Sequence, residues 1–210
     1  MTPPEAVAIQ QELRRLVILQ GSLVGVRAVA GLDVGFRAGQ ARAAAVVYSF
    51  PDLDLQEEAT AACVVDFPYV PGLLTFREGP AALAALERLR APWDVLLCDG
   101  QGYAHPRRLG LASHLGVLLD CRSVGCAKSR LVGRHDAVGD QVGVWEPLLD
   151  GGEVLGAALR TSRSANPVYV SPGHRLDLES AIALVLACTR SHRLPEPARR
   201  AHTLASGEKR

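Results

Sequence analysis

Three acidic residues stand out because each interrupts or ends an apolar stretch. Asp33 lies within a run of small and apolar residues, and Asp99 follows the four apolar residues 95–98. Glu78 precedes a Gly-Pro pair among strong helix formers. A buried carboxylate is costly unless a cation pairs with it, and clustered carboxylates suit Mg²⁺ and phosphoryl chemistry. Chain spacing alone does not separate such a cluster from three unrelated surface or capping acids.

Two basic residues could take part in the same chemistry. Lys128 follows residues 125–127 at a predicted strand end, where its ammonium could face a phosphate or activate a water, or extend from the sheet edge into solvent. His105 is held extended by the proline after it, and it could touch a phosphate or a base, or complete a turn. His114, on the next predicted helix, is expected to be structural.

Residues 67–72 (FPYVPG) contain two prolines and a glycine, so they predict a stiff loop that presents Tyr69. Such an aromatic loop could insert between bases and hold a duplex open, or its aromatics could cover the core. Several arginines could form a phosphate-binding surface, or they could be scattered solvated charge. These are Arg107, Arg108, Arg193, Arg199 and Arg200.

Several common site types are excluded. The Gly100-x-Gly102 pair is not a dinucleotide fingerprint, because the third position, 105, is histidine. Walker A and Gly-x-Ser-x-Gly motifs are absent from the sequence. The five cysteines show no CxxC spacing, which argues against a zinc or disulfide framework and favours a reducing compartment.

Apolar periodicity predicts a meander of three antiparallel strands followed by alternating helices and strands. The predicted strands are 24–36, 43–48, 60–66, 95–98, 122–127 and three short ones across 141–171. The predicted helices are 4–19, 73–78 with a break at Gly79-Pro80, 81–90, 109–118, 178–189 with Asp177 as N-cap, and a last basic helix after Pro197. This order predicts an α/β fold with a mixed sheet flanked by helices, compatible with a ribonuclease H-like topology.

The totals fit one globular domain over residues 1–210. Hydrophobic residues make up 48% of the chain and charged residues 21%. The net charge is +1, so a nucleic-acid surface must be a local patch. No signal peptide or membrane-length apolar run is seen, so we expect no membrane association and a cytoplasmic location. We also expect the protein to be a monomer.

Taken together, six sequence blocks resemble the endonuclease V family, the deoxyinosine-specific repair nucleases. The blocks are 31–36 (GLDVGF), 67–78 (FPYVPGLLTFRE), 99–107 (DGQGYAHPR) with 112–114 (ASH), 125–131 (GCAKSRL), 171–174 (SPGH) and 195–199 (PEPAR). They occur in order over nearly the whole chain, and the second and third are highly specific. Small departures at Cys126 and Ala198 do not touch the proposed chemistry.

The resemblance implies a ribonuclease H-like fold and roles for individual residues. The implied Mg²⁺ ligands are Asp33, Glu78, Asp99 and His202, with Mn²⁺ able to substitute, and Lys128 is the implied active-site lysine. The implied strand-separating wedge is Pro68, Tyr69, Val70 and Pro71. The implied base pocket includes Gly72, Leu74, Gly100 and His105. The implied reaction hydrolyses the second phosphodiester 3′ to deoxyinosine in single- or double-stranded DNA, leaving a 3′-hydroxyl and a 5′-phosphate.

Two alternatives stay open at this point. One is the same nuclease acting mainly on inosine in RNA. The other is a catalytically silent binder of deaminated nucleic acid, against which the intact acidic set Asp33, Glu78 and Asp99 argues.

Overall fold

The computed structural model describes residues 1–207, so the last three residues of the predicted domain 1–210 lie outside the described residues. The strands are β1 Ala28–Arg37, β2 Gln40–Ser49, β3 Leu55–Val64, β4 Val95–Cys98, β5 Arg122–Ala127, β6 Trp145–Asp150, β7 Glu153–Leu159 and β8 Val168–His174. The helices are α1 Pro3–Leu13, α2 Thr75–Leu86, α3 Leu111–Leu119, α4 Leu178–Ala187 and α5 Glu196–Ser206, with a 3-10 turn over Arg14–Leu16. Among these described helices, none combines the length and the apolar character that crossing a membrane requires.

The described strands form one mixed sheet in the order β3-β2-β1-β4-β5-β8-β7-β6. β1, β2 and β3 make the predicted antiparallel meander, and β1, β4 and β5 then run parallel to one another. β8, β7 and β6 complete the sheet in antiparallel register. The predicted mixed α/β sheet is therefore confirmed, and its topology is consistent with a ribonuclease H-like fold.

Helices cover both faces of the sheet. α4 and α5 pack on the face that includes Val29 and Leu97, while α2 and α3 pack on the face that includes Leu32 and Leu96. Because side chains alternate along a strand, Asp33 belongs to the same face as Val29, which is the face that α5 covers. The alternation of side chains along β1 therefore directs the Asp33 carboxylate toward the face that α5 covers.

Two helices differ most from their predicted bounds, whereas α3, α4 and α5 differ by only one or two residues at an end. α1 ends at Leu13 and continues only as a short 3-10 turn, so it is shorter than the predicted 4–19. α2 runs without a break through Gly79 and Pro80. The proline removes one backbone donor in the second turn, and burial of Ala81 and Ala85 against the sheet holds the helix together across it.

Candidate active site

Asp33, within β1, and Asp99, directly after β4, lie side by side on two neighbouring central strands. β1 and β4 are parallel neighbours in which Leu32 is paired with Cys98. The pairing continues by one residue, because the Asp99 amide donates to the Leu32 carbonyl at 2.8 Å. Both carboxylates are largely buried. The register of two regular strands therefore brings two acids together that are 66 positions apart in the chain.

His202 reaches these carboxylates from α5. Its Nδ1 lies 2.6 Å from Asp33 Oδ2 and 3.8 Å from Asp99 Oδ2. The helix sits directly on β1 because Gly31 has no side chain: a Cβ there would lie 2.4 Å from the Pro197 carbonyl oxygen. One donor atom from each of the three residues falls within 4.8 Å of the others.

Lys128 completes the cluster from the end of β5. Its Nζ donates to Asp99 Oδ2 at 2.5 Å and lies 3.2 Å from His202 Nδ1. β5 is the parallel neighbour of β4, with Gly125 opposite Cys98. The side chain therefore turns to the carboxylates instead of extending away from the sheet edge.

Glu78 adds a third carboxyl group to the same region from the first turn of α2. Burial, and then the charges of Asp33 and Asp99, raise its pKa to about 8. Burial and Asp33 also raise the pKa of Asp99, although the Lys128 ammonium opposes that shift. Desolvation and repulsion between like charges both disfavour the ionised forms.

The donor chemistry of this cluster fits a hard divalent cation. Two carboxylate oxygens and one imidazole nitrogen converge, and oxygen-rich sets with room for water suit Mg²⁺ or Mn²⁺. Glu78 stands close enough for the charges of Asp33 and Asp99 to raise its pKa. A bound cation would therefore relieve the repulsion within the acidic set.

A cavity of about 360 Å³ opens beside the acidic cluster. Its lining comprises Tyr69, Val70, Pro71, Gly72, Leu74, Thr75, Glu78, Asp99, Gly100, Gln101, His105, Gly110, Leu111, Ala127, Lys128, Ser129, Arg130 and Leu131. The four residues predicted for a base pocket, Gly72, Leu74, Gly100 and His105, all lie in this one lining. The structure thus puts the predicted pocket and three of the predicted catalytic residues, Glu78, Asp99 and Lys128, around a shared space, while their roles stay predictions.

The loop that the sequence predicted as a wedge has buried ends and an exposed tip. Phe67 and Leu73 pack with Ala6 of α1 in a small apolar cluster, and Arg77 Nη1 donates to the Phe67 carbonyl at 2.6 Å. Tyr69, between these anchors, is 71% exposed. Phe67 therefore covers the core and Tyr69 does not, and the role of this loop as a strand-separating wedge stays a prediction. Pro68 and Pro71 are exposed as well, and Val70 is half-buried.

His105 holds the end of this loop as a neutral imidazole. Its Nδ1 accepts from the Arg107 amide at 3.1 Å, so Nε2 carries the proton and donates to the Gly72 carbonyl at 3.0 Å. Burial, and then the Arg107 charge, lower the pKa of His105 to about 4. Gly72 has φ +78°, and a Cβ there would lie 2.7 Å from Arg107 Nη2. His114 lies behind the pocket, where burial lowers its pKa to about 4 and its ring meets Phe76 edge-on.

The five arginines considered as a phosphate surface have partners inside the protein. Arg108 pairs with Asp150 and Glu153. The other partners are Gln10 and Gly72 for Arg107, the Lys128 and Pro167 carbonyls for Arg193, Glu196 for Arg199 and Glu58 for Arg200. The five arginines are therefore paired within the fold, and their role as a phosphate-binding surface stays a prediction.

Sequence reasoning missed two contributions to the site. Residues 129–131 line the cavity, and their position directly after Lys128 in the GCAKSRL block was the available signal. Gln10 is fully buried on α1 and bonds to Gly72 and Arg107. The sequence feature that could have indicated this role is its place on an apolar helical stripe, four positions after Ala6 and three before Leu13.

Known proteins resemble this chain along its length. The sequence profile of the endonuclease V family matches residues 11–203. The chain belongs to the endonuclease V family. The endonuclease V of Roseiflexus sp. (strain RS-1) is 55% identical over 202 residues, covering 96% of this chain and 91% of the relative. That of Trichormus variabilis is 53% identical over 209 residues, covering 98% and 95%.

Solved endonuclease V structures share the fold. The Streptomyces avermitilis protein superimposes with a TM-score of 0.93 at 48% identity, covering 98% of this chain and 92% of that one. The human protein gives 0.89 at 37% identity, covering 98% and 97%. The Ciona intestinalis protein, solved with a 24mer DNA containing an inosine followed by a ribo-adenosine, gives 0.84 at 30% identity, covering 97% and 96%.

Family membership makes this chain a metal-dependent endonuclease. The family implies a divalent metal, and the group Asp33, Asp99 and His202 offers a possible site for it. The sequence-based recognition of the family is confirmed.

Proposed function

We propose that this endonuclease V hydrolyses the second phosphodiester bond 3′ to deoxyinosine in DNA, with Mg²⁺ as cofactor and Mn²⁺ able to replace it. The products are a 3′-hydroxyl and a 5′-phosphate. The observation that carries the proposal is one juxtaposition: an acidic cluster opens onto a cavity of about 360 Å³ whose rim carries the exposed Tyr69. Chemistry, base binding and strand separation would then share one surface of the protein.

In this proposal Asp33, Glu78, Asp99 and His202 hold the cation. When bound, the ion supplies Lewis-acid polarisation of the scissile phosphate. The carboxylates fix its position because they come from β1, β4 and α2, which are packed in the core. Lys128 orients Asp99 and favours its ionised form through its 2.5 Å contact, and its ammonium offers a second positive charge to the incoming phosphate.

The cavity would receive the deaminated base. A base that is rotated out of the stack is read by hydrogen bonds and by contacts to its faces. Leu74 and Leu111 supply apolar wall, and the backbone at Gly72 and Gly100 supplies polar edges. His105 donates its Nε2 proton to Gly72, so its part is to hold the wall that the base contacts.

Tyr69 would fill the space that the flipped base leaves. Its ring is exposed while Phe67 and Leu73 fix the two ends of the loop. Stacking on a neighbouring base can offset the cost of unstacking, because each contact of this kind contributes about 1–3 kcal/mol. We expect the protein to act as a monomer, which size-exclusion chromatography with light scattering checks.

RNA is the second candidate substrate. The Ciona relative was solved with a ribonucleotide directly after the inosine, at the sugar next to the proposed cleavage position. A 2′-hydroxyl at that position is therefore compatible with binding in a relative at 30% identity. The same catalytic cluster would then act on inosine in RNA.

The decisive experiment compares three matched strands: DNA with one deoxyinosine, DNA with deoxyadenosine at that position, and RNA with one inosine. Each is incubated with Mg²⁺, Mn²⁺ or EDTA, and the products are sized at single-nucleotide resolution. We expect a single cut at the second phosphodiester 3′ to deoxyinosine with either metal and none with EDTA. Faster cutting of the RNA strand would make RNA the preferred substrate, and binding without cutting would identify a silent binder.

A further inference from the structure

Gln10 is a fully buried amide on a helix that contributes no residue to the acidic cluster. It is 0% exposed and lies on the stripe of α1 that faces the protein. A buried amide has to find hydrogen-bond partners, since leaving its groups unpaired costs free energy. Its partners show what the helix is attached to.

The amide of Gln10 connects three partners. Nε2 donates to the Gly72 carbonyl at 3.0 Å and to the Leu109 carbonyl at 3.3 Å. Oε1 accepts from Arg107 Nε, and Arg107 Nη2 itself donates to the Gly72 carbonyl at 2.6 Å. With His105, three side chains therefore converge on the carbonyl oxygen of Gly72.

Two of these partners lie at the cavity beside the acidic cluster: Gly72 lines it, and Leu109 directly precedes Gly110, which lines it as well. Gly72 ends the exposed loop 68–71, and Gly110, directly after Leu109, lines the cavity from the side of α3. One amide therefore ties the loop that ends at Gly72 to the segment that precedes α3. Around this amide, α1 contacts the loop through Ala6, which packs on Phe67 and Leu73.

We infer that Gln10 is a positioning residue for recognition of the deaminated base, acting through Gly72 and Arg107 without touching the base. This inference rests on the proposed function. Without the Gln10 amide, the Leu109 carbonyl and Arg107 Nε lose a partner, and the Gly72 carbonyl keeps only His105 and Arg107. The cavity wall at Gly72 is then free to shift, so the pocket binds the deaminated base less tightly. The acidic cluster keeps its geometry.

The test is a binding comparison with Gln10→Leu, which keeps the approximate side-chain volume and removes both donors and the acceptor. Dissociation constants are measured in Ca²⁺ for single-stranded DNA with one deoxyinosine and for the same strand with deoxyadenosine. We expect the deoxyinosine Kd to rise about tenfold, as for the loss of one net hydrogen bond, while the deoxyadenosine Kd stays within about twofold of wild type. Gln11→Leu, an exposed neighbour on the same helix, is the matched control and should change neither Kd.

Thermal unfolding of each variant separates positioning from folding. Should Gln10→Leu not fold, Gln10→Glu gives the same comparison, because it keeps the shape and the acceptor for Arg107 while placing an oxygen against the Gly72 and Leu109 carbonyls. An unchanged preference for deoxyinosine, or an equal rise of both Kd values, overturns the inference, as does failure of both variants to fold. Equal Kd values for the two strands in the wild-type protein would overturn the proposed function itself, which keeps the two failures distinct.

Discussion

The acidic cluster and the cavity beside it are built in opposite ways. The cluster takes Asp33, Asp99 and Glu78 from two strands and a helix of the core, and its groups are ionisable and crowded. The cavity takes most of its walls from loops, held by the neutral His105 and by bonds to the Gly72 carbonyl. The acidic cluster concentrates charge on strands and a helix, and the cavity is shaped mostly by the backbone of connecting loops.

This difference separates what each region contributes. Regular elements fix the carboxylates to within the precision that chemistry at a phosphate needs. The cost is burial, and then mutual repulsion, which raise the pKa values of Glu78 and Asp99. Loops can shape a pocket around a base, but they need side chains such as His105 and Arg107 to hold them. Changes to the cluster should therefore alter catalysis and electrostatic stability, and changes to the pocket should alter recognition.

The largest effect is expected from Asp99→Asn. The substitution keeps the shape but removes the charge that Lys128 contacts, and loss of one carboxylate at such a centre costs several kcal/mol of transition-state stabilisation, about 10³-fold or more in rate. Single-turnover cleavage of deoxyinosine DNA in Mg²⁺ should fall by that factor, while binding in Ca²⁺ survives. Asp140→Asn, at a side chain that is 95% exposed, is the control. Near-normal cleavage by Asp99→Asn would remove Asp99 from the metal site.

The next effect concerns the stability of the metal-free protein. Because the folded state holds the Glu78 proton up to about pH 8 and the unfolded state releases it near 4.5, the folded state binds more protons between these values. The free energy of unfolding in EDTA should therefore fall as pH rises from 4.5 to 8, by a few kcal/mol at about 1.4 kcal/mol per pKa unit. Glu78→Gln removes this loss, so it should raise the melting temperature at pH 8.

The control for Glu78→Gln is Glu87→Gln, which makes the same charge change at the exposed end of α2. Mg²⁺ should then stabilise the wild-type protein more than Glu78→Gln, because the cation relieves a repulsion that the variant lacks. Equal melting temperatures of wild type and Glu78→Gln across this pH range in EDTA would show that the fold does not raise the pKa of Glu78.

The sequence predicted the sheet better than it predicted the arrangement of the site. Alternation and turn residues were enough to predict the meander and the strand that ends at Asp99, because these signals are local. Asp33 and Asp99 meet because β1 pairs in parallel with β4, and no local sequence pattern encodes that pairing. Only the family resemblance predicted that the two residues converge. The helix break expected at Pro80 was wrong, because packing of Ala81 and Ala85 outweighed the local preference.

The pocket walls were the least predictable part. The contact of Gln10 with Gly72 joins residues 62 positions apart, and a glutamine in a helix ordinarily lies in solvent. The arginines show the same limit, since Arg108 and Arg200 look like free cations in the sequence and are paired in the fold. Long-range polar contacts depend on geometry that the tertiary structure alone supplies.

A smaller effect on recognition is expected from Gly72→Ala. Gly72 and Gly39 have φ angles of +78° and +77°, so alanine is strained at either position by roughly 1–2 kcal/mol. Among the described residues, nothing lies within 4 Å of a Cβ at Gly39, whereas Arg107 Nη2 lies 2.7 Å from one at Gly72. Both variants should lose similar stability, and only Gly72→Ala should also lose binding of deoxyinosine DNA. If Gly39→Ala weakened that binding equally, strain and not the pocket wall would be the cause.

The smallest effect is expected from Tyr69→Ala. Because the side chain is 71% exposed, its removal should leave the melting temperature nearly unchanged. Affinity for duplex DNA with one deoxyinosine should fall about tenfold, the lower range expected for one lost stacking contact. Tyr69→Phe keeps the ring and should bind like wild type, which assigns the effect to stacking and not to the hydroxyl. Because Phe67 and Leu73 anchor the loop independently of its tip, a parallel loss of stability and binding in Tyr69→Ala would instead make Tyr69 part of the packing that holds the pocket wall.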